Sequence, residues 1–177
     1  MYRRKFLGAA STVSLAPLSG CAVQRVWSTP RIAREYSASG QDKPVVSGQP
    51  TVAEGEEKIW GRMITSREQA ESEVQWDNWV LEGGLQKYRE TDFSDGLLVF
   101  VVGVLPTDYD LDARGIEYTQ DSLRYRYGKI KVDSRDSASD EQLHYVYNID
   151  KWDLNGHPTP DEFELEDVEG TPTPPEG

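Results

Sequence analysis

The strongest apolar signal in the chain is an unbroken run at 97–105, Leu-Leu-Val-Phe-Val-Val-Gly-Val-Leu, closed by Pro106. Its length and β-branched content predict a strand buried on both faces, at the centre of a sheet. Segments of alternating character surround it. Residues 58–65 alternate loosely about Ile59, Trp60, Met63 and Ile64, and 109–118, 122–132, 142–149 and 162–168 keep a two-residue period. Leu143, Tyr145, Tyr147 and Ile149 form the clearest stripe, with His144 opposite in phase. Ser66-Arg67-Glu68-Gln69 is a capping-box pattern and predicts a short helix reaching Val74 or Trp76. Gly83-Gly84 marks a loop. Consecutive strands with short connections imply a mainly β fold, an antiparallel sandwich or partly closed barrel, with one short helix plugging one end.

The segments 109–118 and 122–132 predict a hairpin about 119–122. Each slips phase once, near Gly115 and next to Gly128. If both slips fall at the same level, Tyr118 meets Leu123, Ile116 meets Tyr125, Leu111 meets Ile130 and Tyr109 meets Val132. On the other face Glu117 then meets Arg124, Asp112 meets Lys129 and Asp110 meets Lys131. The cations of this basic stripe (Arg124, Arg126, Lys129, Lys131) are therefore expected to be answered largely by acids of their own hairpin, leaving little for an anionic partner.

The amino terminus reads differently. Arg3-Arg4-Lys5 is followed by a mildly apolar stretch from Phe6 to Leu18 and then by Leu18-Ser19-Gly20-Cys21. A membrane-spanning helix needs roughly 20 apolar residues, so this stretch is too short to be a permanent anchor. It has the layout of a signal peptide, 1–20, with a small-residue cleavage context. Arg3, Arg4, Phe6 and Leu7 resemble a twin-arginine export signal, and Leu18, Ser19 and Gly20 before Cys21 resemble a lipobox. The resemblance implies that Cys21, the only cysteine, is lipidated and heads the mature chain. Two acyl chains suffice for stable anchoring, at about 0.8 kcal/mol per buried methylene. The resemblance covers the leader alone; the protein is then expected at the cell membrane, lipid-anchored and facing outside.

Beyond the leader, 21–56 is rich in Ser, Pro, Gly and Gln without sustained period and reads as a lipid-anchored flexible tether. The folded β domain is expected over 57–169, and the Pro- and Thr-rich 170–177 as a disordered tail.

Charge narrows the function classes. Residues 51–177 carry 12 basic and 29 acidic side chains, a balance of −17. Nucleic-acid binding driven by phosphate contacts is excluded by that sign. In molar salt the Debye length falls to about 3 Å, so the self-repulsion largely disappears. Acidity, scarce lysine and a twin-arginine lipoprotein leader together resemble the surface proteins of salt-loving archaea.

Candidate chemistry is sparse. Asp108, Asp110 and Asp112 lack the glycine and the distal carboxylate of a calcium loop, and Lys151-Trp-Asp153-Leu-Asn155-Gly156 places a cation where the first ligand belongs. Asn155-Gly156 reads instead as turn chemistry. No Gly-X-Ser-X-Gly elbow or phosphate loop accompanies the two histidines, His144 and His157. The five tryptophans are expected to pack in the core and at its edges rather than to form a binding patch. The expectation is therefore a binding or structural module of the envelope, with no catalytic residue, metal or cofactor, its partners being the membrane through Cys21 and an envelope protein of unknown identity. The rival expectation is an extracytoplasmic enzyme or metal-dependent module.

Overall fold

The long apolar run becomes β3 (Gly96–Pro106), buried along its whole length in the computed structural model, which describes residues 29–41, 43–78, 86–132 and 142–168. β3 pairs antiparallel with β2 (Lys58–Ile64) on one side and with β6 (Leu143–Asp153) on the other. β6 carries β1 (Arg31–Gln41) at its far edge, completing a four-stranded sheet. A second sheet is built from β4 (Tyr109–Tyr118), β5 (Ser122–Lys131) and β7 (Glu162–Asp167), with β5 central. The two sheets pack face to face as a sandwich, mainly β and without barrel closure.

Alternation along β3 divides the interior in two. Leu97, Val99 and Val101 point into the sandwich, where they meet Leu123, Tyr125, Tyr127 and Trp152. Leu98, Phe100, Val102 and Val104 point the other way and join Tyr145, Tyr147 and Ile149. That second face is covered by Val45 and Val46, by Ala70 of α1 (Arg67–Glu73) and Val74 just after it, and by Tyr88 of α2 (Gln86–Arg89). Burial of each such side chain is worth roughly 1.5–3 kcal/mol against exposure, so both layers are needed to explain an all-apolar β3.

Several expectations hold in detail. Ser66 caps α1, its hydroxyl accepting from the Gln69 N–H at 3.1 Å, while Gln69 Oε1 accepts from the Thr65 N–H at 3.0 Å. Asn155 and Gly156 take φ of 54° and 80°, the left-handed pair that a tight turn requires.

Others are corrected. The expected tether contains β1 and the buried Val45, Val46 and Gln49, so residues 31–56 belong to the fold rather than preceding it. Gln49 explains why this irregular stretch is fixed: its side chain accepts from the N–H groups of Val45 and Val46 at 2.9 and 3.0 Å and donates to the Tyr147 hydroxyl at 3.2 Å. Helix α1 covers the outer face of the four-stranded sheet rather than plugging an end, and α2 is an additional helix. β6 runs past Ile149 to Asp153. The sheets are not wholly antiparallel either, since β7 runs parallel to β5. The chain leaves β6, crosses the end of the sandwich and lands beside the start of β5, where the Asp161 and Glu162 N–H groups donate to the Asp121 carbonyl at 3.1 and 3.0 Å.

The hairpin register is half as expected. Tyr118–Leu123, Glu117–Arg124 and Ile116–Tyr125 pair as predicted, but beyond them the ladder shifts by one, giving Tyr109–Lys131, Asp110–Ile130 and Leu111–Lys129. Only β4 bulges, at Arg114 between Ala113 and Gly115. β5 does not slip at Gly128, where glycine instead allows close approach: a Cβ there would sit 2.9 Å from the Val168 carbonyl.

Candidate functional site

Two places in the described residues gather functional groups: a polar knot inside the sandwich and an open groove at its side.

The knot forms where β5 lies over β6. Tyr125 and Tyr127 are two residues apart, share the inward face of β5 and stack with ring centroids 6.0 Å apart. Their hydroxyls reach across to the inward face of β6. Tyr125 donates to Asp150 Oδ2 at 2.8 Å and accepts from Trp152 Nε1 at 2.6 Å. The Asn148 amide donates to the Tyr127 hydroxyl, and Ser37 of β1 donates to Asn148 Oδ1 at 3.2 Å. Asp150 is 1% exposed, and its second oxygen, Oδ1, has no hydrogen-bond partner. Glu35 of β1 is its direct cross-strand neighbour. Burial pushes the Asp150 carboxyl up to about 6 against the lowering effect of the Tyr125 bond, and the charge of Glu35 adds a smaller rise. Burial likewise pushes the Tyr125 and Tyr127 phenols up, so they act as neutral donors and acceptors at any ordinary pH.

The groove lies between β2 and the segment leading into β7. It is about 490 Å³ and is lined by Arg62, Met63, Gln69, Pro160, Asp161 and Phe163 among others. Arg62 is held there by two bonds to the Glu73 carboxylate, at 2.7 and 2.6 Å. The guanidinium is the largest cause that holds the Glu73 carboxyl below the usual range. The groove is open to solvent, with polar groups at Arg62, Gln69 and Asp161 beside apolar ones at Met63, Pro160 and Phe163.

The basic stripe is answered by acids, though mostly not by those of its own hairpin. Arg124 meets Glu164 at 2.5 Å and Arg126 meets Glu166 at 2.8 Å, both on β7, with Glu117 farther off at 3.7 and 3.8 Å. Lys131 pairs with Asp108 at 3.1 Å and Lys129 pairs with Glu57, while the register sets Ile130 opposite Asp110 and Gly128 opposite Asp112. The parallel strand β7 supplies what the hairpin was expected to supply. Asp112 binds Arg114 at 2.6 Å, so Asp108 and Asp112 are engaged with cations of the protein itself, and Asp110 accepts from the Leu111 N–H at 3.0 Å.

Of the tryptophans, Trp152 is buried in the sandwich, and Trp60 and Trp76 pack against the other core; Trp27 and Trp79 lie outside the described residues. So do Arg3, Arg4, Phe6, Leu7, Leu18, Ser19, Gly20 and Cys21, together with Gly83-Gly84 and the 170–177 tail. Among the described residues no group of three or more metal-ligating side chains converges, and no helix is long and apolar enough to cross a membrane. No family model, curated protein or solved structure matches this chain.

The sequence pattern gave no warning of the knot. Asn148 and Asp150 fall on the face of β6 opposite the tyrosine stripe, where polar residues suggest solvent. The available signal lay on the other strand. Tyr125 and Tyr127 alternate as core residues, and buried phenols need partners.

Proposed function

We propose that this chain is an exported lipoprotein whose β domain stands on the outer face of the cell membrane and works as a binding or structural module of the envelope. The observation that carries the proposal is the order of motifs in the leader: Arg3-Arg4 before a short apolar run, then Leu18-Ser19-Gly20 before the only cysteine, Cys21. The fold adds a length. β1 begins at Arg31, ten residues beyond Cys21, and ten residues span at most about 35 Å when fully extended. A lipid on Cys21 therefore keeps the domain close to the headgroups rather than on a long leash.

The non-catalytic part of the proposal is supported by where Asp150 lies. Among the described residues it is the carboxyl group pushed toward neutrality, the usual mark of an acid–base residue, yet it is buried inside the sandwich beneath Tyr125. The open groove beside β2 offers a surface for binding, with hydrogen-bonding groups at Gln69 and Asp161 and apolar contact at Met63 and Phe163. The acidic balance of the chain supports a salt-loving source, in which such a surface stays soluble at molar salt.

Replacing Cys21 by Ser tests the anchor. The variant is expected to leave the membrane fraction and appear in the medium. Retention of Cys21→Ser in the membrane at wild-type level overturns the proposal.

A further inference from the structure

We infer that Glu35 and Asp150 share one proton, and that this proton fastens the edge strand β1 to β6, so that β1 is held at acidic pH and loosened at alkaline pH.

The geometry is that of two carboxyl groups directly opposed on neighbouring antiparallel strands. Such partners project to the same face, with Cβ atoms about 5 Å apart. On its other side Asp150 faces Val99 of β3, and from above it is covered by Tyr125 of β5. Tyr125 satisfies Oδ2 and leaves Oδ1 bare. A bare, buried carboxyl oxygen is costly as an anion, and it becomes a donor once it carries a proton. The acceptor that the register places beside it is the Glu35 carboxylate. With the proton in place the pair is a hydrogen bond between strands. Without it, two negative charges face each other across the β1–β6 ladder.

β1 is the strand on which such a change shows. It has one neighbour, β6, and is bulged between Ile32 and Arg34 and again between Ser39 and Gln41. Ser37 ties it to Asn148 at 3.2 Å and Arg31 to Asp153 at 3.8 Å, the latter with both groups exposed, while Ile32 and Tyr36 pack against the two cores. The other groups around Asp150 do not compete for the proton. Tyr125 and Tyr127 on β5, and Tyr88 on α2 across the sheet, are held above their ordinary phenol range by burial. Arg34 and its register partner Lys151 lie on the opposite face. The direction of the Asp150 shift, set by burial with Glu35 as a lesser cause, agrees with a proton kept there into the mildly acidic range.

One consequence rests on the lipoprotein proposal. If Cys21 is the anchor, releasing β1 lengthens the link from ten residues to the 24 that precede Val45, raising its greatest span from about 35 to about 80 Å. The proton would then set how far the domain reaches from the membrane.

Hydrogen exchange on the full-length protein tests the lock, at pH 5 and pH 8 in the same molar salt, with rates corrected for the intrinsic effect of pH. Protection of the β1 amides is expected to fall between the two pH values by about fivefold or more beyond the fall of the β3 amides, which report the loss of global stability as Asp150 ionises. In Glu35→Gln, an exposed position that leaves the buried knot intact, the excess fall of β1 over β3 is expected to shrink to within about twofold, while the shared fall set by burial of Asp150 persists. Asp150→Asn should behave likewise, and if that variant does not fold, Glu35→Gln decides alone. His144 and His157 are present in every variant, so a difference between variants reports the pair. A fall of β1 no greater than that of β3, or an undiminished excess in Glu35→Gln, each overturns the lock. None of these outcomes bears on whether Cys21→Ser leaves the membrane, so the two proposals fail separately.

Discussion

Gly96 opens β3 where the backbone of its own sheet and of the preceding loop leaves no room for a side chain. A Cβ added there would stand 2.7 Å from the carbonyl oxygen of Trp152 and 3.0 Å from that of Asp92. Both neighbours are backbone, so no rotamer change relieves the contact. The Trp152 carbonyl belongs to the β3–β6 ladder, in which Gly96 pairs with Asp153 and Leu97 with Trp152. Relief therefore means spreading the ladder at the level where Trp152 also donates to Tyr125. Overpacking in a tight interior costs about 1–3 kcal/mol, and a contact against fixed backbone belongs at the upper end. For a domain of this size that corresponds to a fall in Tm of roughly 5–10 °C. The assay is thermal and chemical unfolding of Gly96→Ala in high salt, beside Gly115→Ala as control. Gly115 has nothing within 4 Å of an added Cβ, so its variant should stay within about 0.5 kcal/mol of wild type. If Gly96→Ala matches Gly115→Ala, the β3–β6 spacing described above is wrong.

Two further outcomes follow from the electrostatics. The Asp150 carboxyl stands near 6 in the fold against 3.8 for its ordinary value, so the fold is favoured by this group at low pH and loses that advantage as pH rises toward and through 6. Asp150→Asn should thus stabilise the domain at pH 8, by up to about 3 kcal/mol, and by progressively less toward pH 4; urea unfolding at both pH values checks it, and a variant less stable than wild type at pH 8 would contradict the sign. Below a few hundred millimolar salt the acidic domain should lose cooperative unfolding, and a melting point and far-UV spectrum indifferent to salt would contradict the account of its charge.

Much of the strand layout was legible because apolar periodicity reports burial directly. The 97–105 run announced a strand covered on both sides, and Ser66 with Gln69 announced the start of α1. β1 was not legible, because its two bulges break the alternation that marks a strand and its small, polar side chains suit an edge open to solvent. The hairpin register failed beyond Gly115 for a related reason. A glycine beside a phase change looks the same whether the strand bulges, as β4 does, or admits a neighbour's backbone, as Gly128 admits Val168. The basic stripe was rightly matched with acids, yet sequence proximity favoured the hairpin over β7, which arrives from forty residues away to meet Arg124 and Arg126. The knot of Tyr125, Asp150 and Trp152 joins two sheets, and no local pattern encodes such a meeting.

The central claim is that Cys21 carries the lipid that holds this domain at the membrane. The intact mass of the protein purified from its native membrane tests it most directly. The account predicts a chain that begins at Cys21, heavier than the 21–177 polypeptide by a two-chain lipid, with the added mass retained on the amino-terminal peptide after digestion. A chain that keeps residues 1–20, or one that begins elsewhere with Cys21 unmodified, would contradict it.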